Sequence, residues 1–242
     1  MSELAQVVVR VLVVDDHHLI RAAVRQIVDA EPDLEVVGEA GDGEGAERQA
    51  MELLPDVVLM DVNMPRGDGI RTTARLSANP ALAEMKVLLL TTFEQDENVL
   101  RGVRAGAAGF LGKSASAAEI AASIRAVHEG GSALSTAAQS ALVRHVGGRG
   151  ENAPLPGAVA RLTEREREVL ELVGRGADNQ TVADVLGMSP ATARTHVSRM
   201  LAKLQVGSRA ALVIVAYESG LVVPGAGPVD ESSPRGHVRR RT

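Results

Sequence analysis

The sequence predicts two folded units of different class, an open parallel α/β sheet followed by a small all-α domain. Three observations carry that prediction. Residues 1–134 alternate short β-branched apolar runs with segments of helical period. From about residue 159 the strand period disappears, and four capped helical segments follow one another. Between the two, GGRGENAPLPGAVA at residues 147–160 carries four Gly and two Pro, which is linker composition. Fully extended, that stretch could span roughly 45 Å at ~3.3 Å per residue.

In the first unit, strands are expected near residues 7–14, 34–39, 56–60, 86–91 and 108–111, with amphipathic helices between and after them. The continuous runs DVVLMD and KVLLLTT read as central strands buried on both faces. The result is a five-stranded, doubly wound sheet. The second unit is punctuated by helix caps. LTEREREVLELVGRG opens with Thr163 and Glu166 at capping-box spacing. DNQTVADVLG starts after Asp178 and stops at Gly187. SPATARTHVSRMLAKLQV has Ser189 as N-cap and Pro190 at the first helical position, and a fourth helix follows Ser208 and ends near Gly220. The expected organisation is an α/β domain over 7–130, helix and linker over 131–158, a helical domain over 159–223, and a polar, disordered tail over 224–242.

Composition narrows the chemistry. With two Phe, one Tyr and no Trp, the core must be aliphatic, which singles out Phe93, Phe110 and Tyr217. No cysteine means no disulfide framework, thiolate metal site or cysteine nucleophile. The N-terminus lacks a signal-peptide pattern, and no apolar run approaches the ~20 residues that cross a bilayer, so a cytoplasmic protein with no membrane partner is expected. Residues 1–134 hold 12 Lys/Arg against 21 Asp/Glu, and residues 135–242 hold 14 against 10, so the halves carry −9 and +4. An acidic unit joined to a basic one implies different partners, with nucleic acid a candidate for the basic half.

Ligands of open parallel sheets bind at the carboxyl ends of the strands. Asp15 and Asp16 end the first strand in VVVRVLVVDDHHLI, and Asp61 ends the third in DVVLMDVNMPRGDGI. Carboxylates converging there raise one another's pKa unless a cation sits among them, and all-oxygen donors suit Mg²⁺. Thr91 closes the fourth strand and Lys113 follows the fifth. A carboxylate nucleophile, a divalent cation, a hydroxyl and an ammonium are the parts needed to accept a phosphoryl group, with Asp61 as acceptor. A lone strand-end Asp is more often a cap or loop residue; five such residues at the ends of four strands form a much rarer pattern. His17 and His18 read as helix-start residues.

VVDDHHLI, LMDVNMPRGDGI, LLLTTF and AGAAGFLGK together resemble the receiver domain of bacterial two-component response regulators, a flavodoxin-like fold, over roughly residues 7–130. The resemblance implies phosphorylation of Asp61 by a sensor histidine kinase. It also implies Mg²⁺ held by Asp16, Asp61 and the Asn63 backbone carbonyl with Asp15 assisting, and a switch pair of Thr91 and Phe110. Ser114 stands where many receivers carry proline, a departure that leaves the lysine's role in place.

In the third helix of the basic unit, Ala193, Val197, Met200, Leu201 and Leu204 form an apolar stripe, and Arg194, Thr195, Ser198 and Arg199 lie opposite. Two short helices joined by LGMS, the second exposing Arg, Thr and Ser, form a helix-turn-helix suited to the DNA major groove. Residues 159–223 resemble the LuxR-type helix-turn-helix of NarL/FixJ-type regulators. That resemblance implies DNA contacts from Arg194, Thr195 and Ser198, backbone contacts from Thr192, Arg199 and Lys203, and a homodimer interface including Ala211, Val215 and Tyr217. Ala193 and Ser198 stand where relatives often carry Val or Lys, so the preferred DNA sequence cannot be borrowed from them.

The expected function is a phosphorylation-controlled DNA-binding transcription regulator, a switch and not an enzyme. A phosphorylation-independent regulator is the alternative. An Mg²⁺-dependent aspartyl-phosphate phosphatase is a weaker one, because its Asp-x-Asp motif does not match VVDDHH. The acidic domain can restrain the basic one by covering the 190–204 helix or assist it by dimerising once phosphorylated, and the opposite net charges favour restraint at low salt.

Overall fold

The computed structural model describes residues 8–65, 67–92, 96–134, 138 and 159–223. Phe93, most of the linker and the 224–242 tail lie outside the described residues.

The α/β unit runs β1 (Val9–Val14), α1 (His18–Asp29), β2 (Leu34–Ala40), α2 (Gly43–Leu53), β3 (Val57–Asp61), β4 (Asn63–Met64), β5 (Gly67–Asp68), α3 (Gly69–Ser77), β6 (Lys86–Thr91), α4 (Asp96–Arg104), β7 (Gly109–Gly112), α5 (Ala117–His128) and β8 (Ala133–Leu134). The main sheet has the order β2-β1-β3-β6-β7-β8 and is parallel throughout. It therefore has six strands where the sequence predicts five: β8 is two residues long, too short for a period to register. β4 and β5 form a separate antiparallel hairpin directly after Asp61.

Strand alternation divides the core. Leu12, Val14, Val58, Met60 and Leu89 belong to one buried cluster, and Val11, Val13, Leu59, Leu88 and Leu90 to the other. Side caps set the helix starts: Asp42 accepts from Gly45 N, Asp68 accepts from Ile70 N, and Ser116 forms a capping box with Glu119.

The helical unit comprises α6 (Glu164–Gly174), α7 (Asn179–Leu186), α8 (Pro190–Leu204) and α9 (Arg209–Glu218). Thr163, Asp178, Ser189 and Ser208 cap them, as the sequence predicts. Ala193, Val197, Met200 and Leu204 of α8 are buried in a core shared with Val169, Leu170 and Leu212, and Leu201 packs against its edge. No single helix among the described residues is long and apolar enough to cross a membrane.

The two units touch through α4 and α9. Ala210, Ala211 and Ile214 of α9 join the buried cluster that contains Val99, Leu100, Val103 and Phe110. Arg104 Nη2 lies 3.4 Å from Glu218 Oε1 across the same contact. The sequence-based expectation that α8 is the covered helix is therefore corrected. Burial of small apolar side chains on α9 settles the docking, not the long-range attraction between net charges.

Candidate phosphoryl-accepting site and nucleic-acid interface

Parallel register brings the strand ends to one edge. Val14 pairs with Met60, Asp61 with Leu90, and Thr91 with Gly112, so the residues just beyond β1, β3, β6 and β7 converge. Lys113 Nζ lies 2.6 Å from Asp15 Oδ2 and 2.9 Å from Asp61 Oδ2, closing a three-residue ion cluster. Asp15, Asp61 and Thr91 are buried, and Asp16 is partly exposed at the rim. The chain can approach Asp61 closely because residue 69 is glycine: a Cβ there would stand 1.9 Å from the Asp61 carbonyl oxygen. The Asn63 N–H donates to Asp61 Oδ1 at 3.2 Å and orients that carboxylate.

Burial pushes the Asp61 carboxyl above its ordinary pKa, Lys113 opposes the shift, and the charge of Asp15 adds to it. Burial also works against the Lys113 ammonium, but its bonds to Asp15 and Asp61 prevail and hold its pKa above the usual lysine value. Three carboxylates against one lysine ammonium leave an excess of negative charge built from oxygen donors. That donor set fits a hard divalent cation such as Mg²⁺. His17, read from sequence as a plain helix-start residue, turns Nδ1 to 2.9 Å from Asp16 Oδ1 and 3.5 Å from Asp15 Oδ1. The ligand atoms of Asp15, Asp16 and His17 fall within 4.8 Å of one another. The adjacency DDH was the only signal available in the sequence.

Behind the pocket, the Phe110 ring is fully buried. Gly102 of α4 provides its slot: a Cβ at 102 would stand 2.3 Å from Phe110 Cζ and 2.6 Å from Leu89 Cδ1. The flanking arginines of α4 reach in two directions, Arg101 Nη2 to Asp68 Oδ2 at 3.0 Å and Arg104 to Glu218. Four consecutive residues, Arg101 to Arg104, thus link the loop after Asp61, the buried ring, the core and the helical unit. The individual contacts are not legible in the sequence, since each depends on how the strands and helices pack.

On α8, Thr192, Arg194, Thr195, Ser198 and Arg199 are all exposed. Among the described residues, no internal partner holds Arg194, Ser198 or Arg199. Arg194 borders a cleft of about 450 Å³ whose far wall includes Ala126 of α5 and Glu129, the residue that follows that helix. Lys203 is differently placed: its Nζ lies 2.7 and 2.8 Å from the two oxygens of the buried Glu166, so its charge is engaged inside the unit. On α9, Ala211 is under α4, Val215 is inside the helical core, and Tyr217 packs on that core's edge. Neither Ala211 nor Val215 is open to a second chain in this arrangement.

Residues 11–125 match the family described as the response regulator receiver domain, and residues 160–216 match the luxR family of bacterial regulatory proteins. The chain is 38% identical over 214 residues to the transcriptional regulatory protein LiaR of Bacillus subtilis, covering 88% of this chain and 99% of LiaR. To the response regulator protein VraR of Staphylococcus aureus it is 35% identical over 214 residues, with the same coverage of 88% and 99%. A LuxR-family two-component response regulator from Aurantimonas sp. SI85-9A1 superposes with a TM-score of 0.54 at 30% identity, over 57% of this chain and 97% of that one. A structure of two RcsB dimers bound to two parallel DNAs shares the fold, with a TM-score of 0.51 at 20% identity over 87% of this chain and 98% of RcsB.

Proposed function

Because this chain belongs to the DNA-binding two-component response regulators, with a receiver domain and a luxR-type DNA-binding domain, we propose that Asp61 is its phosphoacceptor and that α4 carries the signal to α9. The family consists of transcription regulators and not of enzymes. The observation that supports Asp61 is the position of Lys113 between it and Asp15.

A sensor histidine kinase would present a phosphohistidine. An Asp61 carboxylate oxygen attacks phosphorus, the O–P bond forms, the P–N bond breaks, and the imidazole leaves with its electron pair. Lys113 sits where its ammonium can pair with a phosphoryl oxygen, at the cost of its bond to Asp61. Thr91 and the Asn63 N–H border the same space. Mg²⁺ held by Asp15, Asp16, Asp61 and the Asn63 carbonyl would supply charge to offset the phosphoryl oxygens.

Control follows from what α4 touches. At rest, α4 holds Ala211 and Ile214 of α9, so the proposed dimer helix is occupied. Phosphorylation draws Lys113 and Thr91 toward the new oxygens and alters the packing of Phe110 under Gly102, which loosens α4. Release of α9 then permits a homodimer on double-stranded promoter DNA, read by Arg194, Thr195 and Ser198, in the cytoplasm. RcsB, which shares the fold, has been solved as dimers bound to DNA.

The test is labelling by a small phosphodonor such as acetyl phosphate. Wild type should take up one phosphoryl group in the presence of Mg²⁺ and none after chelation, and Asp61→Asn should take up none. Undiminished labelling of the variant would move the acceptor elsewhere.

A further inference from the structure

The exposed residues of α8 are not equally free to read a base. Thr195 lies in the second turn, and its hydroxyl donates to the Ala191 carbonyl oxygen at 3.0 Å, the bond to residue i−4 that threonine makes within its own helix. A hydroxyl has one proton, so this donor is spent. Its oxygen is turned against the backbone. Thr195 is exposed, and its methyl occupies another staggered position on the same stiff Cβ, not the one turned to the Ala191 carbonyl. One turn earlier, the Thr192 hydroxyl is paired with Ser189 Oγ at 2.9 Å and belongs to the helix cap. Arg194 beside Thr195 has no partner among the described residues. The leading turns of α8 therefore offer a free guanidinium and, next to it, a methyl group.

Thymine is the only one of the four DNA bases with a methyl group in the major groove, and apolar contact with that group is a direct mode of readout. We infer that Thr195 is a specificity-determining residue that reads a thymine through its γ-methyl and not through its hydroxyl. The inference rests on the DNA-binding reading above and goes beyond it by naming the base and the atom.

The test begins by selecting duplexes from a random pool with the full-length protein, with and without acetyl phosphate and Mg²⁺. Each thymine of the selected site is then replaced in turn by uracil, which removes only the methyl. At one position wild type should lose about fourfold in affinity, the contribution of one buried methyl. Thr195→Val keeps the methyl and drops the hydroxyl, and should show the same sensitivity. Thr195→Ser keeps the hydroxyl and its helix bond; it should bind the thymine site about fourfold more weakly than wild type and be indifferent to uracil there. If uracil is harmless to wild type at every position, or if Thr195→Ser remains as sensitive as wild type, the methyl reading is overturned while DNA binding stands. If no sequence is enriched under either condition, the DNA-binding reading fails and takes this inference with it.

Discussion

Asp61 and Lys113 illustrate how a site can be held together at a cost to the fold. The Asp61 pKa is raised in the folded chain, chiefly by burial, so its contribution to stability is present below the unfolded-state pKa and is lost as pH rises through the folded one. Ionised Asp61 thus burdens the native state at neutral pH. Asp61→Asn should unfold at a temperature equal to or above that of wild type at pH 7 without divalent cations; a clear drop in a thermal melt would mean that the bond to Lys113 outweighs the burial. Lys113→Ala should lose about 3–5 kcal/mol, because it strands two buried carboxylates, and Mg²⁺ should recover part of that loss. On α8, Arg194→Ala should cost ~1–3 kcal/mol on a specific duplex and much less on random DNA, whereas Arg199→Ala, farther from the helix N-terminus, should affect both alike. Equal losses for Arg194→Ala on both duplexes would make it a phosphate contact.

Among the elements, α4 and α6 carry the most consequence. Glycine inside a helix is less favourable than alanine by roughly 0.5–1 kcal/mol, yet α4 places one at 102, where the Phe110 ring needs the space. Gly102→Ala should therefore destabilise the receiver by about 1–3 kcal/mol through overpacking. If α4 yields by lifting, the unphosphorylated protein should also bind DNA more tightly, and Phe110→Leu in the same chain should reverse both effects. In α6, burial works against the Glu166 carboxylate, but Lys203 and Thr163 overcome it and hold its pKa below the ordinary glutamate value. Its stabilisation is present above the unfolded-state pKa and vanishes as pH falls through the folded one. Glu166→Gln should lose roughly 1–3 kcal/mol at pH 7. The variant should also show a flatter acid limb when chemical denaturation is followed from pH 7 downward; an unchanged limb would assign the acid sensitivity elsewhere.

For the molecule as a whole, the direction of control hinges on the α4–α9 contact. The helical unit has a core of its own within residues 159–223, so a fragment from about residue 150 to the end should fold. It should bind DNA more tightly than the unphosphorylated full-length protein at matched ionic strength, and acetyl phosphate should close the gap. A fragment weaker than unphosphorylated full-length protein would sink the restraint model. Arg235, Arg239, Arg240 and Arg241 lie outside the described residues; four guanidinium groups within seven residues of sequence suit a DNA phosphate backbone. Deleting 224–242 should flatten the salt dependence of affinity by up to about four counterions, roughly 0.9 for each lost phosphate contact.

Local interactions explain why so much was legible in the sequence itself. The alternation of Val11 and Val13 against Leu12 and Val14, the capping box of Thr163 and Glu166, and Pro190 after Ser189 each act within a few residues, so their effect is visible in the string. The acidic pair at the end of β1 and Asp61 at the end of β3 were readable because parallel strands share one carboxyl edge. What only the tertiary structure decided involves partners on separate elements. Lys203 falls to Glu166 and not to open solvent, Gly102 becomes a slot for Phe110, and α9 rather than α8 is the helix held against the receiver. Charge and period give no warning of these contacts, because each depends on which apolar surfaces meet once the sheet and the helices have formed, and close packing, unlike net charge, is felt only at contact distance.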